Sequence, residues 1–245
     1  MENNILSVEN LTVSFDGFKA VNDLSLSIEH NELRVIIGPN GAGKTTLLDI
    51  ICGKTKPSSG KVLFGGTDLT SKAEHQIVRL GVARKFQTPS TYEDLSVFEN
   101  FEISIPRGKG VLGSLFFRRD KAVTERVTDI ANEVFLYDAL HTKAGRLSHG
   151  QKQWLEIGMM LIQEPELLLL DEPVAGMSPR EREKTAVLLR KISLGNSLIV
   201  IEHDMEFVKS IAKKVTVMHQ GSLLCDGSID EVQRNERVIE VYLGA

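Results

Sequence analysis

The chain of 245 residues carries 29 Lys and Arg against 33 Asp and Glu, a formal net charge of −4, so no overall positive field would gather nucleic acid. With 42% hydrophobic and 25% charged residues, it has the composition of a soluble globular protein of one large domain or two small ones. Its two cysteines, Cys52 and Cys225, stand far apart and give neither a disulfide framework nor a zinc site.

The Met-Glu-Asn-Asn start lacks the basic and apolar stretches of a secretory signal, and no run nears the ~18 apolar residues needed to cross a bilayer. Any tie to a membrane is therefore expected to pass through a partner. Over the first thirty residues apolar side chains alternate with polar ones: Val8, Leu11, Val13 and Phe15, then Leu24, Leu26 and Ile28, with Asp16-Gly17 between. That alternation about a turn predicts antiparallel strands with one wet face. Leu33 to Ile37 predicts a buried strand running into Gly38, and Lys44 to Ile51, stopped by Gly53, predicts a helix.

Between that strand and helix, Gly38-Pro39-Asn40-Gly41-Ala42-Gly43-Lys44-Thr45 satisfies G-x-x-x-x-G-K-[ST] in the context the motif requires. The glycines let the backbone curl, so that successive N–H groups point at phosphate oxygens. The helix start, with Thr46 in its first turn, adds roughly half a positive charge. Lys44 is expected to reach the β- and γ-phosphates and the Thr45 hydroxyl to hold Mg²⁺.

Gln87 follows the apolar-basic run Val82-Ala83-Arg84-Lys85-Phe86 and precedes Thr88-Pro89. A neutral amide there could touch Mg²⁺ or the attacking water; taken alone it reads as a surface glutamine. From about residue 88 to 164 the chain is strand-poor and predicts an inserted helical lobe. Within it Val123, Val127, Ala131 and Val134 recur at helical spacing. Leu147-Ser148-His149-Gly150-Gln151 opens a further helix containing Trp154 and Leu155, with Ser148 a good N-cap and the helix start a second anion site.

Leu167 to Leu170 predicts a buried strand that delivers Asp171 and Glu172 to its carboxyl end, the edge where ligands sit in open α/β sheets. Asp171 would orient a magnesium shell and Glu172 would polarise the attacking water as general base. Pro179 to Ile192 predicts a charged helix. Leu198 to Ile201 predicts another buried strand, followed by Glu202 and His203, a histidine able to bond a γ-phosphate oxygen. Val215 to Met218 and Leu223 to Cys225 predict a hairpin through Gln220-Gly221, and Ser228 with Glu231 forms a capping box. Alternating strands and helices argue an α/β fold: a mainly parallel sheet flanked by helices, with an antiparallel β subdomain and the helical insertion.

In this order the phosphate loop, Gln87, Leu147–Gln151, Asp171-Glu172 and His203 resemble the ATP-binding cassette family over essentially the whole chain. The resemblance implies one cassette domain spanning residues 1–245, ATP and Mg²⁺ as ligands, and a head-to-tail dimer with an identical or paralogous cassette. ATP would lie between the phosphate loop of one protomer and Ser148, His149, Gly150 and Gln151 of the other. Phe15 matches the position where the family stacks an aromatic on adenine, and Thr45, Gln87 and Asp171 match its magnesium shell. Two residues depart from the common pattern: His149 stands where glycine is usual, and Ser178 where many members have aspartate.

Arg84 to Pro89, the insertion Ile103 to Arg119 and Leu147 to Trp154 are most similar to the urea member among importers of the branched-chain-amino-acid type. The implied partners are integral membrane permeases and, through them, a periplasmic or extracellular solute-binding protein, which would hold the chain at the cytoplasmic face of the membrane. Lipopolysaccharide-export ATPases are similar too, and a soluble cassette acting away from membranes is the remaining alternative. The insertion's Val111-Leu112, Phe116-Phe117 and Arg118-Arg119 would either touch a membrane partner or pack among themselves.

Overall fold

The computed structural model describes residues 4–85, 91–106 and 121–243. Gln87 and its neighbours Phe86, Thr88 and Pro89 lie outside the described residues, as do Val111, Leu112 and Phe116 to Arg119. The chain divides into two compact units, one of residues 1–84, 166–173 and 189–245, the other of residues 85–165 and 174–188.

In the first unit β1 (Asn4–Phe15) and β2 (Phe18–Glu29) form the predicted hairpin, turning through Asp16 and Gly17 at φ 47° and 89°. Val8, Leu11, Val13, Leu24, Leu26 and Ile28 are all buried. Val8 and Leu11 are three apart, which strict alternation would send to opposite faces. A register shift between them, with Asn10 at φ 46°, restores both to the core side, as a bulge does. Phe15 departs from the stripe and is 50% exposed. β4 (Ser59–Phe64) and β5 (Thr67–Asp68) complete a four-stranded sheet ordered β2-β1-β4-β5.

β3 (Leu33–Ile37), β7 (Leu167–Asp171) and β8 (Ser197–Ile201) are buried at all five positions. Strands covered on both faces belong in a parallel sheet, and β3 pairs parallel with β8 and with β9 (Lys214–His219), while β7 pairs parallel with β8. Adding β6 (Val82–Lys85) and β10 (Ser222–Gly227), which closes the predicted hairpin on β9, gives the six-stranded order β10-β9-β3-β8-β7-β6. Helix α1 (Lys44–Ile51) packs Leu47, Leu48 and Ile51 into one apolar cluster with Ile36, Leu169, Ile199 and Leu6. The fold is thus the predicted α/β architecture with an antiparallel sheet beside the parallel one.

Arg34 is the second residue of β3, with its side chain 1% exposed. It is tolerated there because every face of the guanidinium is met: Glu32 and Asp226 pair with it, Thr216 Oγ1 accepts at 2.8 Å and the Ser27 carbonyl at 3.1 Å. A buried arginine needs such a full complement.

Helix α2 (Glu74–Arg79) belongs to the first unit. The second unit is helical among its described residues. α3 (Val97–Ser104) starts on a Ser96–Glu99 capping box; α4 (Lys121–Glu133) buries Val127 and Ala131, with Val134 just beyond it; α5 (His149–Leu161) passes Gly158 against the Phe101 ring. A methyl at Gly158 would stand 2.5 Å from that ring, so this helix approach needs glycine. α6 (Pro179–Ile192) joins α5 through Trp154 Nε1, which donates to Thr185 Oγ1 at 2.9 Å, while Phe135 meets the indole edge-on at 5.3 Å. The first unit resumes with α7 (Met205–Ile211), α8 (Ile229–Arg234), capped as predicted by Ser228 and Glu231, and α9 (Glu236–Leu243). No helix among the described residues is long and apolar enough to cross a membrane.

Candidate nucleotide site

The glycine-rich loop fills the turn between β3 and α1 and is clamped from three sides. Gly221 N donates to the Ala42 carbonyl at 3.1 Å, and the Gly221 carbonyl accepts from Asn22 N at 2.8 Å, so the β9–β10 turn bridges the loop and β2. Gly38 lies so close to the Met218 carbonyl that a Cβ would come within 2.2 Å of it. At Gly43, in the left-handed region at φ 95°, a Cβ would come within 2.3 Å of the Ala20 carbonyl. Only glycine meets both demands at position 43. The β1–β2 hairpin, to which Ala20 belongs, also carries the exposed Phe15.

Gly43 caps α1 without a side-chain hydrogen bond, and no acidic residue occupies its first turn. The amides of this turn, with Thr45 and Thr46 among them, keep their partial positive charge for an external anion. Lys44 bends back over the loop, its Nζ donating to the carbonyls of Gly38 at 2.7 Å and Pro39 at 3.0 Å. Burial lowers its pKa, against the opposing pull of Glu172 and Asp171. A cation half withdrawn from water, with one of its three protons uncommitted, is well suited to a phosphate oxygen.

Across from the loop, β7 delivers Asp171, 2% exposed, and its Oδ2 accepts from the Thr45 hydroxyl at 3.1 Å. Burial raises the Asp171 pKa; the Thr45 hydrogen bond and the charges of Arg84 and Lys44 oppose it, and Glu172 adds to it. Arg84, on β6, is itself pinned by Asp49 of α1. A hydroxyl and a carboxylate side by side are hard oxygen donors that suit Mg²⁺, a cation that completes its octahedron with water and phosphate rather than with a protein cage. No group of three His, Cys, Asp or Glu side chains able to hold a metal occurs among the described residues. The Thr45 hydroxyl beside the Asp171 carboxylate is a donor pair that fits a magnesium ion arriving with a polyphosphate.

Glu172 begins the turn after β7 in the left-handed region, at φ 48°, with its N–H donating to the Ile201 carbonyl at 3.0 Å. A β-carbon there costs about 1–2 kcal/mol, and the strain turns the carboxylate out of the strand at its carboxyl edge. Its Oε1 lies 3.4 Å from His203 Nδ1, the two side chains being 39% and 67% exposed. Lys44, Thr45, Asp171, Glu172 and His203 are thus gathered at one sheet edge, as their positions in the sequence predict.

The other predicted anion seat lies in the second unit. Ser148 caps α5, its Oγ accepting from Gln151 N at 3.2 Å while Gln151 Oε1 accepts from Ser148 N. His149 turns its ring toward the loop after Glu172, with Nε2 3.0 Å from the Ala175 carbonyl. Glu181, which the sequence reading passed over, accepts from the hydroxyls of both Ser148 and Ser178. Its signal was present as the spacing Ser178-Pro179-Arg180-Glu181, another capping box.

Asp171→Asn provides a test of the electrostatics. A carboxyl whose folded pKa lies above its unfolded one is penalised when charged, so it costs stability at neutral pH and the cost fades as pH falls through the folded value. The nucleotide-free variant is expected to melt a few degrees higher, roughly 2–4 °C, by scanning fluorimetry at pH 7.5, with the gap closing in acid. A lower Tm at pH 7.5 would mean the carboxylate is stabilising after all.

A curled glycine loop, a parallel sheet edge carrying Asp-Glu, and a separate helical unit define an ATP-binding cassette. A model described as ABC transporter matches residues 21–175, and one described as Branched-chain amino acid ATP-binding cassette transporter matches residues 222–245. The high-affinity branched-chain amino acid transport ATP-binding protein BraF of Pseudomonas aeruginosa is 35% identical over 253 residues, covering 100% of this chain and 99% of its own length. The probable branched-chain amino acid transport ATP-binding protein LivG of Archaeoglobus fulgidus is 34% identical over 249 residues, 98% of this chain and 96% of its own. Among solved structures, a nucleotide-free ATP-binding cassette from an ABC transporter superposes with a TM-score of 0.86 at 32% identity over 99% of this chain and all of its own. The ADP conformation of the cassette MJ1267 gives 0.87 at 32% identity over 99% of each. The chain belongs to the ABC transporter family, and it is an ATP-binding ATPase of that family.

Proposed function

We propose that this ATPase powers an importer of a small polar solute, a branched-chain amino acid or a compact amide such as urea. The cluster of Lys44, Thr45, Asp171 and Glu172 at the sheet edge carries the catalytic half of this reading. The transport half rests on full-length likeness to branched-chain amino acid transport ATP-binding proteins. The urea option rests on the resemblance of residues 84–89, 103–119 and 147–154 to that importer's subunit. Since no feature of this sheet edge reads a solute, selection would belong to permeases and a solute-binding protein, with the chain held to the membrane's cytoplasmic face through the permeases.

In this reading the backbone N–H groups of residues 38–46, Pro39 excepted because it has none, and the Lys44 ammonium hold the β- and γ-phosphates, with Phe15 against the adenine. Thr45 and Asp171, joined by Gln87, would hold Mg²⁺, which when bound neutralises charge on the phosphate oxygens. Glu172 takes the proton of the attacking water, and His203, 3.4 Å from it, orients the carboxylate and reaches the γ-phosphate. Ser148 and the backbone from His149 to Gln151 close on the nucleotide of a partner cassette, an identical or a paralogous one.

The test is to purify the chain with its membrane companions and measure ATP hydrolysis in proteoliposomes against branched-chain amino acids, urea and short amides, with the solute-binding protein present. Solute-dependent stimulation by one of these classes is expected. ATPase activity that co-purifies with ribosomes or with a lipid exporter instead would overturn the importer reading.

A further inference from the structure

The Ser148 hydroxyl is already committed within this chain. Its oxygen accepts from Gln151 N at 3.2 Å, and its one proton is donated to Glu181 Oε1 at 3.1 Å. Glu181 is anchored through its other oxygen, which accepts from Ser178 N at 2.9 Å and Ser178 Oγ at 2.7 Å. The carboxylate lies directly over Gly150, where a Cβ would stand 2.4 Å from Oε1, so glycine at 150 makes its approach possible. Beside this strut runs a second one. The Ala175 carbonyl can only accept, so His149 Nε2, 3.0 Å away, carries the hydrogen. Gln153 Nε2 stands 3.3 Å from the same nitrogen; with the hydrogen on His149 Nε2 two donors would face each other, so the amide is assigned the flipped orientation that turns its oxygen to the ring.

An anion therefore rests beside the start of α5, where the cassette reading has a partner's phosphate arriving. One proton cannot serve a carboxylate and a phosphate oxygen at once, and two anions repel. We propose that Glu181 is a positioning residue that competes with nucleotide for the Ser148 hydroxyl, so that closure on ATP requires the carboxylate to let that hydroxyl go. The proposal rests on Ser148 being a phosphate donor. Glu181 is ionised at neutral pH, its pKa lowered first by the Ser178 hydroxyl and amide and further by Ser148 and His149. Release also loosens Ser178 and, through it, the segment that follows Glu172 in the chain. In a protein with serine at 178 and histidine at 149, these two struts tie the helix start to that segment.

Glu181→Gln separates competition from capping. Glutamine sustains a capping box, and Ser178 offers two donors, so the amide oxygen must face Ser178 and the amide nitrogen must face Ser148. The charge is gone and the Ser148 proton is free. In the purified transporter the ATP concentration for half-maximal hydrolysis is expected to fall about two- to fivefold, the range open to an exposed charge interaction, with kcat not reduced and Tm unchanged. In a Ser148→Ala background, read on its residual rate, the same change should leave that concentration where it was. Ser178→Ala, which breaks the same cap but leaves Glu181 on Ser148, should not lower it. An unchanged or higher concentration in Glu181→Gln, an equal drop with Ser148 absent, or the same drop from Ser178→Ala would each overturn the proposal while Ser148 keeps its role. If Ser148→Ala itself has no effect on hydrolysis, the Ser148 reading fails and the proposal falls with it.

Discussion

Replacing Glu172 by glutamine is expected to slow ATP turnover by about 10²–10⁴ while nucleotide binding persists, the usual worth of a general base. The amide has nearly the same shape and can keep the Ile201 backbone contact, since that bond uses the Glu172 N–H. What it loses is the capacity to take a proton from water. With cleavage slowed, the closed ATP-bound state should persist, and an ATP-loaded dimer should accumulate on size-exclusion chromatography. The left-handed backbone at φ 48° remains, so a fall in Tm is not expected. Turnover near that of the unaltered protein would reassign the base, with His203 the next group at that edge.

Lys44→Ala acts one step earlier. The ammonium is half withdrawn from water and its pKa is lowered by burial, a cost the fold carries without a carboxylate hydrogen-bonded to it. Removing it takes away a charge-assisted phosphate contact, and affinity for ATP is expected to weaken about ten- to a hundredfold, measured by titration with a fluorescent ATP analogue. The nucleotide-free variant should be no less stable: among the described residues Lys44 gives up two hydrogen bonds to carbonyls, of Gly38 and Pro39, and its burial cost outweighs the pull of Glu172 and Asp171. Unchanged affinity would place the triphosphate elsewhere.

The sheet edge was legible because its signals are local. A short, mainly apolar run leading into Gly38, or four leucines leading into Asp171-Glu172, states both strand and chemistry within a dozen residues. Pro179 to Ile192 and the Ser228 cap read equally well, having strong periodicity or a side-chain cap at fixed spacing. β4 escaped notice because only Val62 and Phe64 of its six residues are buried. β6 escaped because Arg84 and Lys85 look like solvated charges. The structure buries both, Arg84 against Asp49 and Lys85 3.5 Å from Glu156, pairings that distance along the chain conceals. Arg34 is the same case inside a strand that was predicted. α7 starts on Asp204, which accepts from the amides of Glu206 and Phe207, but its seven residues are too short to show a period.

The candidate site divides in the same way. Its phosphate loop and acid pair are contiguous motifs, whereas the ties from Ser148 and His149 to Glu181 and Ala175 bridge 33 and 26 positions. The departures at His149 and Ser178 were visible as unusual letters. That both belong to one hydrogen-bonded junction is a product of the fold.

The most direct test places the unaltered protein, Lys44→Ala and Glu172→Gln side by side at millimolar Mg-ATP, with bound nucleotide and released phosphate read from the same samples. The unaltered protein should bind and cleave, the lysine variant should do neither well, and the glutamate variant should bind without cleaving. If the two variants behaved alike, gripping the triphosphate and readying the water would not be separate tasks of these two residues, and the account of the sheet edge would be wrong.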